Sequence, residues 1–291
     1  MPLSPASTVS FSTADGLHLF SRTWMPETEP RGHLVLVHGY AEHSGRYEAL
    51  ASDLTEAGYA VHTYDQRGFG RSEGRRAYVR SFDLYLDDLD RFLTLVRRDV
   101  PEAPLFLMGH SMGGTVVALY ALERSPQRHR IRGVILSSPA LASDLAPMLQ
   151  RVSALIGRLL PCLPTIRLDL SALSRDPAVE AAVRSDPLFY RGRLRARTGA
   201  EIVRAMRRIQ EGAPRFTLPL LLFHGTADRL SAPQGSRRFY ARIASEDKVL
   251  VLFEGFYHET LNEPQRLYVL ATLLEWLAEH TGTAAPTAAQ T

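Results

Sequence analysis

The segment Leu105–Val117, LFLMGHSMGGTVV, constrains the fold of this chain more than any other. Leu105–Met108 is a continuous apolar run of strand length, and Thr115–Leu122 is an apolar run of helix type. Between them lies Gly109-His110-Ser111-Met112-Gly113, a G-x-S-x-G pentapeptide followed by Gly114. A strand that becomes a helix within so few residues forces strained backbone angles on the residue at the apex. Glycine at 109 and 113 removes the Cβ atoms that would hold strand and helix apart. The turn would present Ser111 at the tip of a sheet, beside a helix N-terminus. A glycine-rich turn whose serine merely caps the helix reads the same residues without chemistry, so the rest of the chain decides.

Strand-like and helix-like segments alternate along the chain. Val9–Ser12 and Leu17–Trp24 read as an early strand pair, followed by a strand at His33–Val37 that ends in His38-Gly39. Tyr47–Ala57 has apolar residues at helical spacing, and Ala60–Tyr64 is a strand running into Asp65. Ser81 opens a long helix with a stripe of Leu84, Leu86, Leu89, Phe92, Leu93 and Val96. Further strands are expected at Ile131–Leu136, Leu220–Phe223 and Val249–Phe253, with helices near Gly235–Ile243 and Glu263–Ala278. Such repetition predicts an α/β fold, a mainly parallel sheet covered by helices on both faces. Ligands of such sheets bind beyond the carboxyl ends of the strands. His38, Asp65, Ser111, Asp228 and His258 all fall at such ends.

Residues 139–213 interrupt the alternation. They carry prolines at 139, 147, 161, 164, 177 and 187 and show no clear strand. Leu145, Met148, Leu149, Val152, Leu155, Ile156, Leu159 and Leu160 recur at helical spacing, and a second helix is expected over Gly199–Gln210. The segment is several times longer than the dozen or so residues a crossover needs. It reads as a helical cap inserted after the sixth strand. The core is then 1–138 and 214–281, the cap 139–213, and 282–291 an Ala/Thr/Pro-rich disordered tail.

Composition narrows the function. The 291 residues are 45% hydrophobic and 22% charged, a globular balance rather than a disordered one. Lys248 is the single lysine, so almost all positive charge is arginine, and the net charge is +3. The arginines are scattered among carboxylates without a dense run, which argues against a nucleic-acid partner. One cysteine, Cys162, excludes an intramolecular disulfide framework and a cysteine-based zinc site, and it reads as a small buried hydrophobe. The first ten residues show no signal peptide, and no apolar run approaches the roughly 18 residues of a membrane span. The expected location is the cytoplasm, with peripheral membrane contact through the cap; the oligomeric state is left open.

A serine hydroxyl is a weak nucleophile and needs a base, which in turn needs an orienting group. Asp228 follows the strand at Leu220–Phe223, and His258 follows the strand at Val249–Phe253. Serine, then aspartate, then histidine, each beyond a strand, is the chain order of α/β-hydrolases. Ser111 would attack a carbonyl carbon, His258 would take and return the proton, and Asp228 would fix the His258 tautomer. His224 is the nearest rival base but sits at the end of its strand, and His110 is too local to reach its neighbour's hydroxyl. The oxyanion donors would be the backbone N–H groups of Met112 and Tyr40.

The chain also resembles the monoacylglycerol lipase and lysophospholipase-like branch of the α/β-hydrolases, also grouped as the serine aminopeptidase S33 or hydrolase 4 family. The residues that carry the likeness are HGYAEHSGRY (38–47), DQRGFGRSEG (65–74), GHSMGG (109–114), HGTADRL (224–230) and YHETLNE (257–263). SRDPAVEAAVRSDPL (174–188) is similar to that family's cap. The resemblance implies an eight-stranded sheet and a serine ester hydrolase acting on monoacylglycerols or similar lipid esters through an acyl-enzyme. Lysophospholipase and general carboxylesterase are the alternatives, and an idle ligand-binding fold is a further one. It implies Ser111, Asp228 and His258 as the triad, Tyr40 and Met112 at the oxyanion hole, Gly109 and Gly113 at the nucleophile turn, and no metal or organic cofactor. Glu42 and Arg67 are expected to support loops. The chain departs from the family pattern at Tyr40, at Ala41 where a glycine is usual, and at Phe69 where a histidine is common. Alanine is small enough to be tolerated at 41, and the departures at Tyr40 and Phe69 bear on substrate size more than on reaction type.

Overall fold

A computed structural model describes residues 7–124, 126–143 and 146–282. The expected tail beyond Gly282, the cap residue Leu145 and the first six residues lie outside the described set.

Strands β1 (Ser7–Ser12), β2 (His18–Trp24), β3 (Gly32–Val37), β4 (Tyr59–Tyr64), β5 (Leu105–His110) and β6 (Ile131–Ser137) precede the insertion. Strands β9 (Leu220–Gly225) and β10 (Lys248–Phe253) follow it. These strands form one eight-stranded sheet in the order β1-β2-β4-β3-β5-β6-β9-β10. The pairs from β4 through β10 are parallel, and β2 joins β1 and β4 antiparallel. Every residue of β3, β4, β5 and β9 is buried. A strand covered on both faces has no solvent side, which is why these runs are mostly apolar instead of alternating, and their buried polar members such as His33, His62 and Thr63 are hydrogen-bonded.

Helices α2 (Asp83–Asp99) and α3 (Met112–Glu123) pack one face through Leu86, Leu89, Phe92, Leu93, Val116 and Leu119. Helices α1 (Glu48–Glu56) and α8 (Arg266–Thr281) close the other with Leu50, Leu54, Leu273 and Trp276. Each such side chain, fully buried, favours the fold by about 1.5–3 kcal/mol before the entropy of ordering is counted.

Between β6 and β9 lie α4 (Pro147–Leu159), α5 (Pro177–Ser185) and α6 (Ala196–Gly212). The insertion is not wholly helical, and here the sequence-based expectation is corrected. Strands β7 (Pro164–Arg167) and β8 (Arg193–Arg195) pair antiparallel as a separate two-stranded sheet. Segments this short carry no readable period-two pattern, and the pairing is non-local. Cys162 is half-buried rather than buried. Helix α7 (Pro233–Arg242) completes the chain's order between β9 and β10.

Candidate active site

Ser111 sits at the apex of the β5-to-α3 turn with φ +53° and ψ −119°. For a non-glycine residue this is a strained conformation, of order 1–3 kcal/mol, that persists only when its surroundings impose it. Those surroundings are two close backbone passages. A Cβ on Gly109 would fall 2.4 Å from Gly113 O, and one on Gly113 would fall 2.1 Å from Val37 O. Hydrogen bonds lock the apex on both sides: Ser111 N–H donates to Ser137 O at 3.0 Å, and Ala140 N–H donates to Ser111 O at 3.1 Å. Met112 opens α3, so its N–H is among those a helix leaves without an intrahelical partner.

Asp228 lies in the loop after β9. Its Oδ2 accepts from His258 Nδ1 at 2.7 Å and from Ser231 Oγ at 2.8 Å, and its Oδ1 accepts from the N–H groups of Leu230 at 2.7 Å and Ser231 at 3.0 Å. Burial alone would raise the carboxyl, but His258 and His224 outweigh it and hold Asp228 far below the usual carboxylate range. Burial works against a charged His258, yet the Asp228 carboxylate prevails and lifts the imidazole above its ordinary value. The ring of His110 stands 4.8 Å from that of His258, and its Nδ1 is 3.1 Å from Ser137 Oγ. The structure thus joins Asp228 and His258 directly. It draws no hydrogen bond from Ser111 Oγ to His258 among the described residues; apo sites often show such contacts long, tightening only around substrate.

The loop after β3 passes over the serine. A Cβ on Gly39 would lie 3.1 Å from Ser111 Cβ. Tyr40 follows, its ring 5.3 Å from Phe69 and 6.3 Å from Tyr190. Ala41 is fully buried at φ +73°, the left-handed conformation that explains the family's glycine there. Glu42 binds this loop from beneath. Its Oε1 accepts from Gly39 N–H at 2.5 Å and Tyr47 OH at 2.8 Å, and its Oε2 accepts from Arg46 at 3.0 Å. Burial would protonate Glu42, but the Arg46 guanidinium keeps it below the usual range. Arg67 braces a different loop, reaching Asp88 at 2.6 Å and 2.7 Å and Asp15 at 2.9 Å and 3.0 Å.

Two contributors escaped the sequence reading. Glu259, next to His258, takes a bidentate grip from Arg46 at 2.7 Å and 2.9 Å. Ser231 inserts its hydroxyl between Asp228 and the Ser138 carbonyl, 2.9 Å from the latter. Glu259 lies within the YHETLNE stretch and Ser231 directly follows HGTADRL, which was the available signal. Among the described residues no cluster of His, Cys, Asp and Glu could hold a metal ion.

Residues 28–265 match the family described as serine aminopeptidase, S33 (Hydrolase_4). This chain belongs to that family. The monoacylglycerol lipase of Mycolicibacterium smegmatis is 38% identical over 282 residues, 96% of this chain and 100% of that protein. The crystal structure of Paleococcus ferrophilus monoacylglycerol lipase superposes with a TM-score of 0.79 at 34% identity, covering 90% of this chain and 99% of that one. A soluble variant of the Saccharomyces cerevisiae monoglyceride lipase in complex with a substrate analog gives 0.82 at 27% identity over 97% and 99%. The fold is that of the α/β-hydrolases, and the protein is a serine hydrolase of carboxylic esters.

Proposed function

We propose that this enzyme cleaves monoacylglycerols to fatty acid and glycerol, with Ser111 as nucleophile, His258 as base and Asp228 as the group that orients His258. The observation that carries the assignment is the Asp228–His258 pair, 2.7 Å apart, with the His258 ring against that of His110, the residue before a serine held at φ +53°. His258 Nδ1–H is committed to Asp228, which leaves Nε2 to take the Ser111 proton and deliver it to the leaving alcohol. The oxyanion would be met by the N–H groups of Met112 and Tyr40; Tyr40 N–H has no acceptor among the described residues. Each such donor is worth about 3 kcal/mol to a tetrahedral intermediate. The lipid substrate is supported by the relatives named above and by the cap.

Residues 139–213 serve in this reading as that cap over the strand ends. Leu173, Val183 and Phe189 form an apolar cluster with Ala41 and the Tyr40 ring, a wall suited to an acyl chain. Outside, α4 is inverted. Gly157 is buried against Ala200, while Met148, Leu155 and Leu159 are 73%, 56% and 67% exposed. Residues 146–168 carry Arg151, Arg158 and Arg167 and no carboxylate. An apolar face flanked by arginines fits a peripheral lipid surface. No helix among the described residues is long and apolar enough to cross a membrane.

The test is a rate panel: monoacylglycerols of increasing chain length, the matching lysophospholipids and short p-nitrophenyl esters, with Ser111→Ala as blank. A maximum on medium or long monoacylglycerols is expected. Activity confined to short activated esters would replace this reading with a general carboxylesterase. For the cap, flotation with liposomes should carry the protein upward; a protein that stays at the bottom has no such surface.

A further inference from the structure

Asp228 serves two imidazoles. The same Oδ2 that accepts from His258 Nδ1 at 2.7 Å also meets His224 Nε2 at 2.9 Å. His224 is the penultimate residue of β9, fully buried, four residues before the aspartate. Its protonation pattern follows from its neighbours. Nε2 faces two acceptors, the Asp228 carboxylate and the Ser231 carbonyl at 3.1 Å, so Nε2 must carry hydrogen. Nδ1 faces Ser236 Oγ at 2.8 Å, a hydroxyl able to donate to it once Nε2 carries the hydrogen. Ser236 thereby holds His224 in the Nε2–H form, and His224 holds Asp228.

We propose that His224 is a positioning residue for ester hydrolysis, a second imidazole that fixes the Asp228 carboxylate plane and shares its charge, so that His258 receives a measured part of it. The inference rests on the assignment of Asp228 and His258 above. His224 lies beneath the aspartate and is fully buried, so it acts on the reaction only through Asp228. A neutral N–H donor stabilises the carboxylate most when His258 is neutral and the negative charge uncompensated. It therefore favours neutral His258, the form that accepts the serine proton. Removing the donor leaves Asp228 held only by Ser231 and Leu230 and gives His258 a larger share of its charge. The other groups facing His258 are His110 from the end of β5, Glu259 beside it and Glu42 from the loop after β3, and these remain unchanged.

The experiment compares His224→Leu with His224→Gln, whose amide supplies a donor for Asp228 and an acceptor for Ser236. In His224→Leu the acid limb of kcat/KM should move up by about half a pH unit, as expected for a changed hydrogen bond to the charged partner. Its kcat should fall about tenfold with KM little changed, the mark of an interaction lost in the transition state. His224→Gln should recover most of both. A folded His224→Leu enzyme whose limb and kcat stay where they were, or a Gln variant no better than Leu, overturns the proposal. Should the Leu variant fail to fold, imidazole nitrogen shifts of the wild-type enzyme decide: a His224 protonated on Nδ1 instead of Nε2 refutes it. Asp228→Asn is measured alongside. If that variant keeps full activity, the Asp228 assignment has failed and not the role of His224 alone.

Discussion

Tyr190 N–H donates to Ala41 O at 2.7 Å, tying the segment between α5 and β8 to the loop that carries Tyr40. Two further contacts repeat the link. His43 Nε2 lies 2.7 Å from Asp186 Oδ2, and the Arg46 guanidinium stands 5.6 Å from the centre of the Phe189 ring. The inserted segment also grips the histidine loop, where Glu259 N–H donates to Leu173 O at 2.7 Å. One stretch of the insertion thus braces both the Tyr40 loop and the His258 loop, whereas α4 leaves Met148, Leu155 and Leu159 exposed among the described residues.

Asp186→Ala should loosen that brace. It removes the His43 contact and the acceptor of Leu188 N–H. A part-buried bond of this kind is worth about 1 kcal/mol, so kcat should fall roughly fivefold by the same conversion. Initial rates at saturating substrate, with Tm as the companion measurement, check it; unchanged kcat would place the brace outside the catalytic cycle.

Glu42 is a stronger lever. Its carboxylate satisfies Gly39 N–H, Tyr47 OH and Arg46 from a buried position. Glu42→Ala leaves Gly39 N–H and Tyr47 OH without their buried acceptor, a loss of about 1–3 kcal/mol for each such group, while Arg46 keeps its two bonds to Glu259. Glu42→Gln should be milder in Tm yet still slow turnover, because the loop after β3 loses a charged anchor. Thermal melts and single-turnover kinetics separate the two effects.

The pH profile follows from the direction of the His258 shift. The imidazole must be neutral to take the serine proton, and Asp228 raises its pKa above the ordinary value. Activity should therefore rise with pH through a limb lying above about 6.5, the unperturbed histidine value. The sign for stability is the reverse: the His258–Asp228 ion pair favours the fold below the unfolded pKa and that contribution is lost as pH rises through the folded one. A kcat/KM limb below 6.5 would contradict the assignment.

His62 supplies an opposite dependence. It is buried against His33, with ring nitrogens 2.9 Å apart, and burial depresses the two imidazoles to about 3 and about 4. Both stay neutral in the fold while the unfolded chain protonates below about 6.5, so stability should drain as pH falls from there toward 4. Replacing both with Gln should flatten the fall in Tm between pH 7 and 5. An equal fall in the variant would assign acid lability elsewhere.

Much of this was legible beforehand, for reasons that can be stated residue by residue. The strands were readable because a doubly covered parallel strand is dominated by apolar residues instead of alternating, as at Leu220–Phe223. Ser111 was readable because only glycine lets a strand and a helix meet as closely as Gly109 and Gly113 do. Chain order then pointed to Asp228 and His258. Their 2.7 Å contact, by contrast, joins two loops thirty positions apart, a separation local patterns do not encode.

Sequence by itself determined the sheet, the serine turn and the order of the polar strand ends, since each is a local consequence of side-chain size, apolar period or glycine. Tertiary structure alone decided the pairing of β7 with β8, the brace from Tyr190 and Asp186 onto the loop after β3, the partnership of Arg46 with Glu259 and the second imidazole on Asp228. Each of these joins groups distant in sequence, or depends on the orientation of a side chain within an already packed interior. Such contacts exist only once the hydrophobic core has fixed where the loops must lie.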